Sequence, residues 1–174
     1  DIAKKIDGHV NYVFVDIEKK ISSKLDILTN IERATKETIN KSIIKNYKPN
    51  DITVNSIENF IQDYFKKDLR GVGGKKILIV GAGNIGSKIA LRLLESGGLV
   101  NLLRRSKKKL KIINNALNII KPSYTEAKSS IIYKDQLKLE SYDIIIGCTD
   151  REVKFKKINN FKKHPMIIDV GPGM

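Results

Sequence analysis

Cysteine and histidine are scarce: Cys148 is the one thiol in 174 residues, and His9 and His164 are the two imidazoles. A single thiol excludes an intrachain disulfide and fits a reducing compartment, so a cytoplasmic setting is expected. No Cys/His cluster has metal-ligand spacing, which argues against a structural zinc. Aromatic residues make up 6% of the chain, too few for the stacking platforms of a single-strand nucleic-acid binder. No apolar run reaches the length of a membrane span and no signal peptide is visible, so no membrane partner is expected. Carboxylates are also missing from one particular place, the stretch Arg104 to Lys109.

The chain does have a net charge of +14 with 41% hydrophobic residues. That length and composition fit one globular domain, or one domain plus a fragment of another. The lysines are scattered through helical, turn and strand patterns rather than gathered in one segment. Together with abundant Ile and Asn, this reads as a compositional bias toward a basic, solvated surface. Nucleic acid is therefore not the expected partner, and attraction for an anionic small-molecule substrate or cofactor is the simpler account. Oligomeric state is left open, a homodimer being compatible.

The stretch from Lys75 to Arg105 organises the rest. Ile77-Leu78-Ile79-Val80 is a branched apolar run suited to a strand buried on both faces. Gly81-Ala82-Gly83-Asn84-Ile85-Gly86 follows as a G-x-G-x-x-G turn. A helix comes next, with Ile85, Ile89, Leu93 and Leu94 on one face, stopped by Gly97-Gly98. Leu99 to Leu103 is a second strand. In this strand–turn–helix–strand context Gly81 permits the turn, Gly83 lets a pyrophosphate approach the backbone, and Gly86 lets the helix pack on the sheet. Asn84 and Ile85 open the helix whose N–H groups and dipole face the phosphates.

The end of the second strand says which dinucleotide. An NAD site places Asp or Glu there to accept from the ribose 2′-hydroxyl. Here stand Arg104, Arg105 and Ser106, then three lysines. A guanidinium can bind a 2′-phosphate in a bidentate fork and serine adds a hydroxyl, so NADP is the expected cofactor.

The remaining elements follow from periodicity. Val10 to Ile17 reads as a strand with no visible partner, which suggests a segment before Asp1. Ile21, Leu25, Leu28, Ile31, Thr35, Ile39 and Ile43 recur at helical spacing and predict one long amphipathic helix, or two with a break near Thr29-Asn30, ended by Lys48-Pro49. A helix capped by Asp51 or Thr53 should bury Val54, Ile57, Ile61, Tyr64 and Phe65. Leu69 to Gly74 is a glycine-rich joint, taken as the boundary between a helical region at 1–70, the edge of a substrate domain, and a Rossmann domain at 71–174. Beyond it come a helix over 108–120, strands at 131–133, 143–147 and 166–171, and a short helical piece near Val153 to Phe161. Strands alternating with helices imply an α/β fold of Rossmann type, a doubly wound parallel sheet of order 3-2-1-4-5 preceded by a helical connecting region. Gly147-Cys148-Thr149-Asp150 and Val170-Gly171 would leave the fourth and fifth strands beside the cofactor. Cys148 and Thr149 are placed near its ribose and nicotinamide, and Gly171 under the ring. Cys148, with no histidine near in sequence, reads as a packed residue rather than a nucleophile.

From Asp51 to Gly171 the chain resembles the NADP-binding domain of the shikimate dehydrogenase and glutamyl-tRNA reductase superfamily, with methylene-tetrahydrofolate dehydrogenase as an architectural relative. The residues that carry the resemblance are the helix before the glycine joint, the GAGNIG turn, Arg104-Arg105-Ser106, and the GCT and DVG strand ends. In shikimate dehydrogenases the turn after the second strand is Asn-Arg-Ser/Thr, its arginine binding the 2′-phosphate. Leu103-Arg104-Arg105-Ser106 departs from that pattern at the first position, so Arg104 and Arg105 share the role of phosphate ligand that the resemblance implies, with Arg105 aligning directly before the serine. The resemblance implies an NADP-dependent dehydrogenase or reductase whose catalytic residues lie in a separate domain. Before Asp51 the lysine and aspartate motifs of shikimate dehydrogenase are absent. Asp16, Glu18, Lys19 and Lys20 are weak candidates for proton transfer and read better as a solvated helix start. A non-catalytic NADP(H)-binding module is the alternative.

Overall fold

The computed structural model describes residues 2–18, 21–22, 28–149, 153 and 164–171. Chain contacts divide it into two compact units, Asp1–Ile52 and Thr53–Met174. The division falls in the first turn of a helix rather than at the glycine joint.

The first unit holds α1 (Ile2–Ile6), β1 (Tyr12–Asp16), β2 (Ile21–Ser22), β3 (Leu28–Thr29), α2 (Ile31–Lys36) and β4 (Ile43–Tyr47). Among the described residues the long helix expected between Ile17 and Ile43 is not formed, and of the two-helix alternative a short helix does begin just after the expected break at Thr29-Asn30. The long helical register is broken by the antiparallel pair β2–β3 and by a six-residue α2 capped by Asn30, whose side chain accepts from Arg33 N–H. Beyond α2, Ile43 to Tyr47 is a strand, and it is the partner that β1 lacked in the sequence reading. The two pair in parallel, Tyr12 beside Ile43 and Asp16 beside Tyr47. β4 has little alternation of its own, so periodicity could not find it. The Asp7 carboxylate organises the entry to β4 by accepting from the backbone N–H groups of Asn40, Lys41 and Ser42. Those donors hold its carboxyl below the usual carboxylate range, Asn40 contributing most.

Helix α3 (Pro49–Tyr64) leads into the second unit. Pro49 begins it, as proline suits a first helical position where no N–H is needed. Val54, Ile57 and Ile61 are buried as expected, whereas Tyr64 is exposed. Then come β5 (Lys76–Val80), α4 (Asn84–Glu95), β6 (Leu99–Leu103), α5 (Lys107–Ile120), β7 (Lys128–Ile131), two short 3-10 turns at Lys134–Gln136 and Leu139–Ser141, β8 (Ile144–Gly147) and β9 (Met166–Asp169). β7 lies three residues earlier than the run Ile131 to Tyr133 suggested. The helical piece expected at 153–161 lies outside the described residues.

The five strands pair in parallel in the order β7-β6-β5-β8-β9, the 3-2-1-4-5 order of a Rossmann sheet. Alternation along the strands divides two apolar layers. Ile77, Ile79, Val100, Leu102, Ile144 and Ile146 face a core closed by α3, α4 and α5. Leu78, Val80 and Ile145 face the other way, onto Leu139 and Tyr142. The last four residues of β5, Ile77 to Val80, are 0–2% exposed, which is why that strand reads as an unbroken apolar run. The joint Leu69 to Gly74 is pinned: Gly74 N–H donates to Gly97 O at 3.0 Å, and Lys75 pairs with Asp68. Helix α4 ends where Gly97, with φ of +85°, turns the chain and its N–H and that of Gly98 return to Leu94 and Leu93 carbonyls.

Candidate functional site

Register places the sequence-predicted residues along one edge. Val80, Leu103, Gly147 and Asp169 lie abreast at the carboxyl ends of β5, β6, β8 and β9. The segments leaving them, Gly81 to Gly86, Arg104 to Ser106, Cys148-Thr149 and Val170-Gly171, therefore emerge side by side.

The glycine turn is closed from both flanks. Gly81 N–H donates to Leu103 O at 2.9 Å, and Cys148 N–H donates to Val80 O at 2.7 Å. Gly81 has φ of +97°, and a Cβ there would run into the Cys148 carbonyl and lie 2.7 Å from the Thr149 methyl. Gly86 is equally constrained, since its Cβ would strike the Gly81 carbonyl and crowd Ile79. Its role is to let α4 begin against the turn itself, a closer contact than the helix-on-sheet packing expected. Gly83 differs: a Cβ there would meet nothing nearer than the Gly81 carbonyl at 4.0 Å. Protein packing does not require that glycine, and its backbone borders open space. No side chain caps α4 at Gly83, and Ile85, the second helical residue, packs partly into the core. The N-cap Gly83 itself offers no side-chain acceptor to the first turn of α4, which suits an anion. A dinucleotide's pyrophosphate fits this cradle.

The two arginines are not equivalent. Arg104 is half-buried and its Nη1 donates to the Ala82 carbonyl, tying the end of β6 to the middle of the glycine turn. Arg105 is exposed. Ser106 is the N-cap of α5, its hydroxyl oxygen accepting from Lys109 N–H at 3.4 Å. A cap was not foreseen in reading Ser106 as a phosphate donor, though its own hydrogen stays available. The Arg104–Ala82 bond was also missed, because nothing in the sequence distinguishes one of two adjacent arginines.

On the other flank Thr149 is clamped. Its methyl packs on Gly81, and a Cβ at Gly171 would strike its carbonyl. Gly171 thus closes the edge through backbone contact with Thr149, and its N–H donates to the Asp169 carboxylate at 3.2 Å. Cys148 is half-buried, and burial, helped by the Asp169 charge, pushes its thiol up to about 11. A thiol that stays neutral at physiological pH is a packing group, in agreement with the sequence reading. Asp150, Pro172 and Gly173 lie outside the described residues, as do Lys19 and Lys20. Asp16 and Glu18 belong to the first unit, where Asp16 accepts from Glu18 N–H and Glu18 from Asn50 N–H. Among the described residues no group of histidine, cysteine and carboxylate side chains could hold a metal ion. No described helix is long and apolar enough to cross a membrane.

A family model described as ketopantoate reductase PanE/ApbA matches residues 77–151, from β5 through β8 and less than half of the chain. No curated protein matches the chain in sequence. Among solved structures, the ligand-free 5-ketofructose reductase of Gluconobacter sp. strain CHM43 is similar at 20% identity and TM-score 0.42, covering 63% of this chain and 36% of that one. A shikimate dehydrogenase in complex with NADP+ is similar at 22% identity and TM-score 0.40, covering 61% and 33%. The magnesium protoporphyrin IX methyltransferase of Synechocystis PCC 6803 scores alike, 19% and 0.41, covering 55% and 40%. This chain therefore spans well under two thirds of each, and likeness of that degree, shared with a methyltransferase, says nothing of activity. Strand order, glycine turn and family match agree on the architecture of an NAD(P)-binding Rossmann domain.

Proposed function

We propose that the second unit binds NADP(H) and holds the nicotinamide for hydride transfer to or from a small polar, anionic substrate, as a dehydrogenase or reductase. The observation that carries the reading is the division of labour at the end of β6. Arg104 is committed to the Ala82 carbonyl, and Arg105 stands exposed beside Ser106 with no carboxylate between Arg104 and Lys109. A 2′-phosphate placed there meets guanidinium, hydroxyl and lysines, whereas a 2′-hydroxyl finds no acceptor side chain. The matched reductase family supports the same class of reaction. The cofactor supplies the hydride chemistry. This chain's own residues contribute the pyrophosphate cradle at Gly83, the Arg104 strut and the clamped Thr149-Gly171 edge.

Calorimetric titration with NADPH and with NADH tests it. NADPH should bind at least about tenfold more tightly, and Arg105→Ala should erase that preference by weakening NADPH alone, a loss of roughly 1.5–3 kcal/mol for a hydrogen-bonded charge. Equal affinity for the two would sink the 2′-phosphate assignment.

A second reading is a module that binds NADP(H) without turnover, since hydride transfer to a carbonyl needs a positioned proton donor and no residue has that role assigned among the described residues of this edge. Single-turnover oxidation of bound NADPH by candidate carbonyl compounds separates the two.

A further inference from the structure

We propose that the second unit has a separate site for a small organic anion, in a groove at the amino-terminal end of the sheet on the face away from α4 and α5. A cavity of about 370 Å³ opens there, within the range of roughly 300–1,000 Å³ usual for small-ligand pockets. Parallel register builds it. Leu99 of β6 lies beside Lys128 of β7, and Asn101 beside Ser130, so these four side chains share one face. Lys76 from the start of β5 and Lys138 from the link between the 3-10 turns complete the rim, and Tyr142 lies at the back.

Charge and hydrogen-bonding capacity point to the ligand. Lys76, Lys128 and Lys138 line the groove, and no carboxylate does. Asp143, next along the chain, spends its carboxylate on Lys76 N–H at 2.9 Å, and Asp135 and Glu140 in the 3-10 turns are not among the lining residues. Three lysines on one groove, with no carboxylate among the residues that line it, favour an anion. Tyr142 is 2% exposed, and its hydroxyl oxygen accepts from Asn101 Nδ2 at 3.0 Å. That bond leaves the phenolic hydrogen to donate. Turning the amide round would leave the Asn101 NH₂ to donate instead, so this pair of lining residues keeps a donor either way. Leu99 and Ile132 add an apolar wall, which a bare inorganic ion would not use. The class that fits is a small multivalent organic anion, carrying carboxylate or phosphate groups on a short carbon skeleton. The groove lies at the opposite end of β5 and β6 from the glycine turn, so this site is distinct from the dinucleotide cradle.

The test is amide NMR of the full chain titrated with citrate, and separately with inorganic phosphate, at constant ionic strength. Citrate should give saturable shifts centred on Lys76, Ser130 and Tyr142, and phosphate weaker ones at the same amides. Lys128→Ala and Lys138→Ala, both at exposed positions, should each weaken citrate by about tenfold or more, the effect of one charge-assisted hydrogen bond. Arg105→Ala and the remote Lys67→Ala should leave it unchanged. Shifts that never saturate, or an equal loss on Lys67→Ala, would mean diffuse attraction to a basic surface and overturn the site. Shifts centred on Arg105 and Ser106 would overturn it too, by assigning the anion to the dinucleotide edge.

Discussion

At the end of β8, Cys148 shows how one side chain reports on its surroundings. Its thiol is raised to about 11 because burial disfavours the thiolate, with the Asp169 carboxylate adding repulsion. The sign of the linkage follows. Below pH 9 the thiol is neutral in the folded and unfolded chain alike, so the full stability is present. As the pH rises from 9 toward 11 the unfolded thiol ionises first, and stability is lost, on the order of 2–3 kcal/mol across the window. Denaturant unfolding at pH 8 and pH 10.5 should show this decline, and the decline should shrink in Cys148→Ala. An identical decline in the variant would place the titration on lysines and tyrosines instead. The sequence made Cys148 legible as a packed residue through its apolar strand context. It could not assign Arg104 and Arg105 separately, because adjacent residues of one type differ only in where the backbone aims them.

Among the elements, α5 and β7 show how a Rossmann sheet finishes at an edge. The Asn118 side chain accepts from Ser129 N–H at 3.0 Å and donates to Ser129 O at 2.8 Å, standing in for a further strand on the outer side of β7. Ser129 is 1% exposed, so removing that amide strands two buried backbone groups. Asn118→Ala should destabilise the chain by about 1–3 kcal/mol in chemical denaturation, with NADPH affinity unchanged once folded. A change below a few tenths of a kcal/mol would mean that water replaces the amide freely. No periodicity marks Asn118 for this task. Helix α5 itself was legible because Leu110 and Leu117 recur at its spacing. β7 was misplaced by three residues, since Lys128-Ser129-Ser130 has no apolar signature and is a strand only because β6 offers its edge.

For the molecule as a whole, the two units differ in how much structure each can support. The second has a large apolar core on one face of a five-stranded sheet and a smaller one on the other. The first pairs β1 with β4 in parallel, and Tyr12, Phe14, Ile43 and Tyr47 are 40–69% exposed. Two-stranded pairs are marginal at best in water, and parallel ones ordinarily have both faces covered. Residues 48–174, which keep α3 entire, should therefore unfold cooperatively with a midpoint near that of the full chain. Residues 1–47 alone should give the circular dichroism of an unfolded chain. A folded 1–47 fragment, or a molten 48–174, would reverse this assignment of stability.

The sequence alone determined the sheet order, the glycine turn and the basic end of the second strand. Each rests on local signals: continuous apolar runs for strands buried on both faces, glycines where a Cβ would collide, and helices whose apolar positions repeat within a few residues. Tertiary structure decided what depends on distant partners. The segment from Ile17 to Tyr47 repeats its apolar residues at helical spacing, yet β4 gains more by pairing with β1, and strand pairing is a contest between segments that no local pattern settles. The same holds for the Arg104 strut, the Asn118 edge cap and the lysine groove. Each joins residues far apart in the chain that only the register of neighbouring strands and helices brings together.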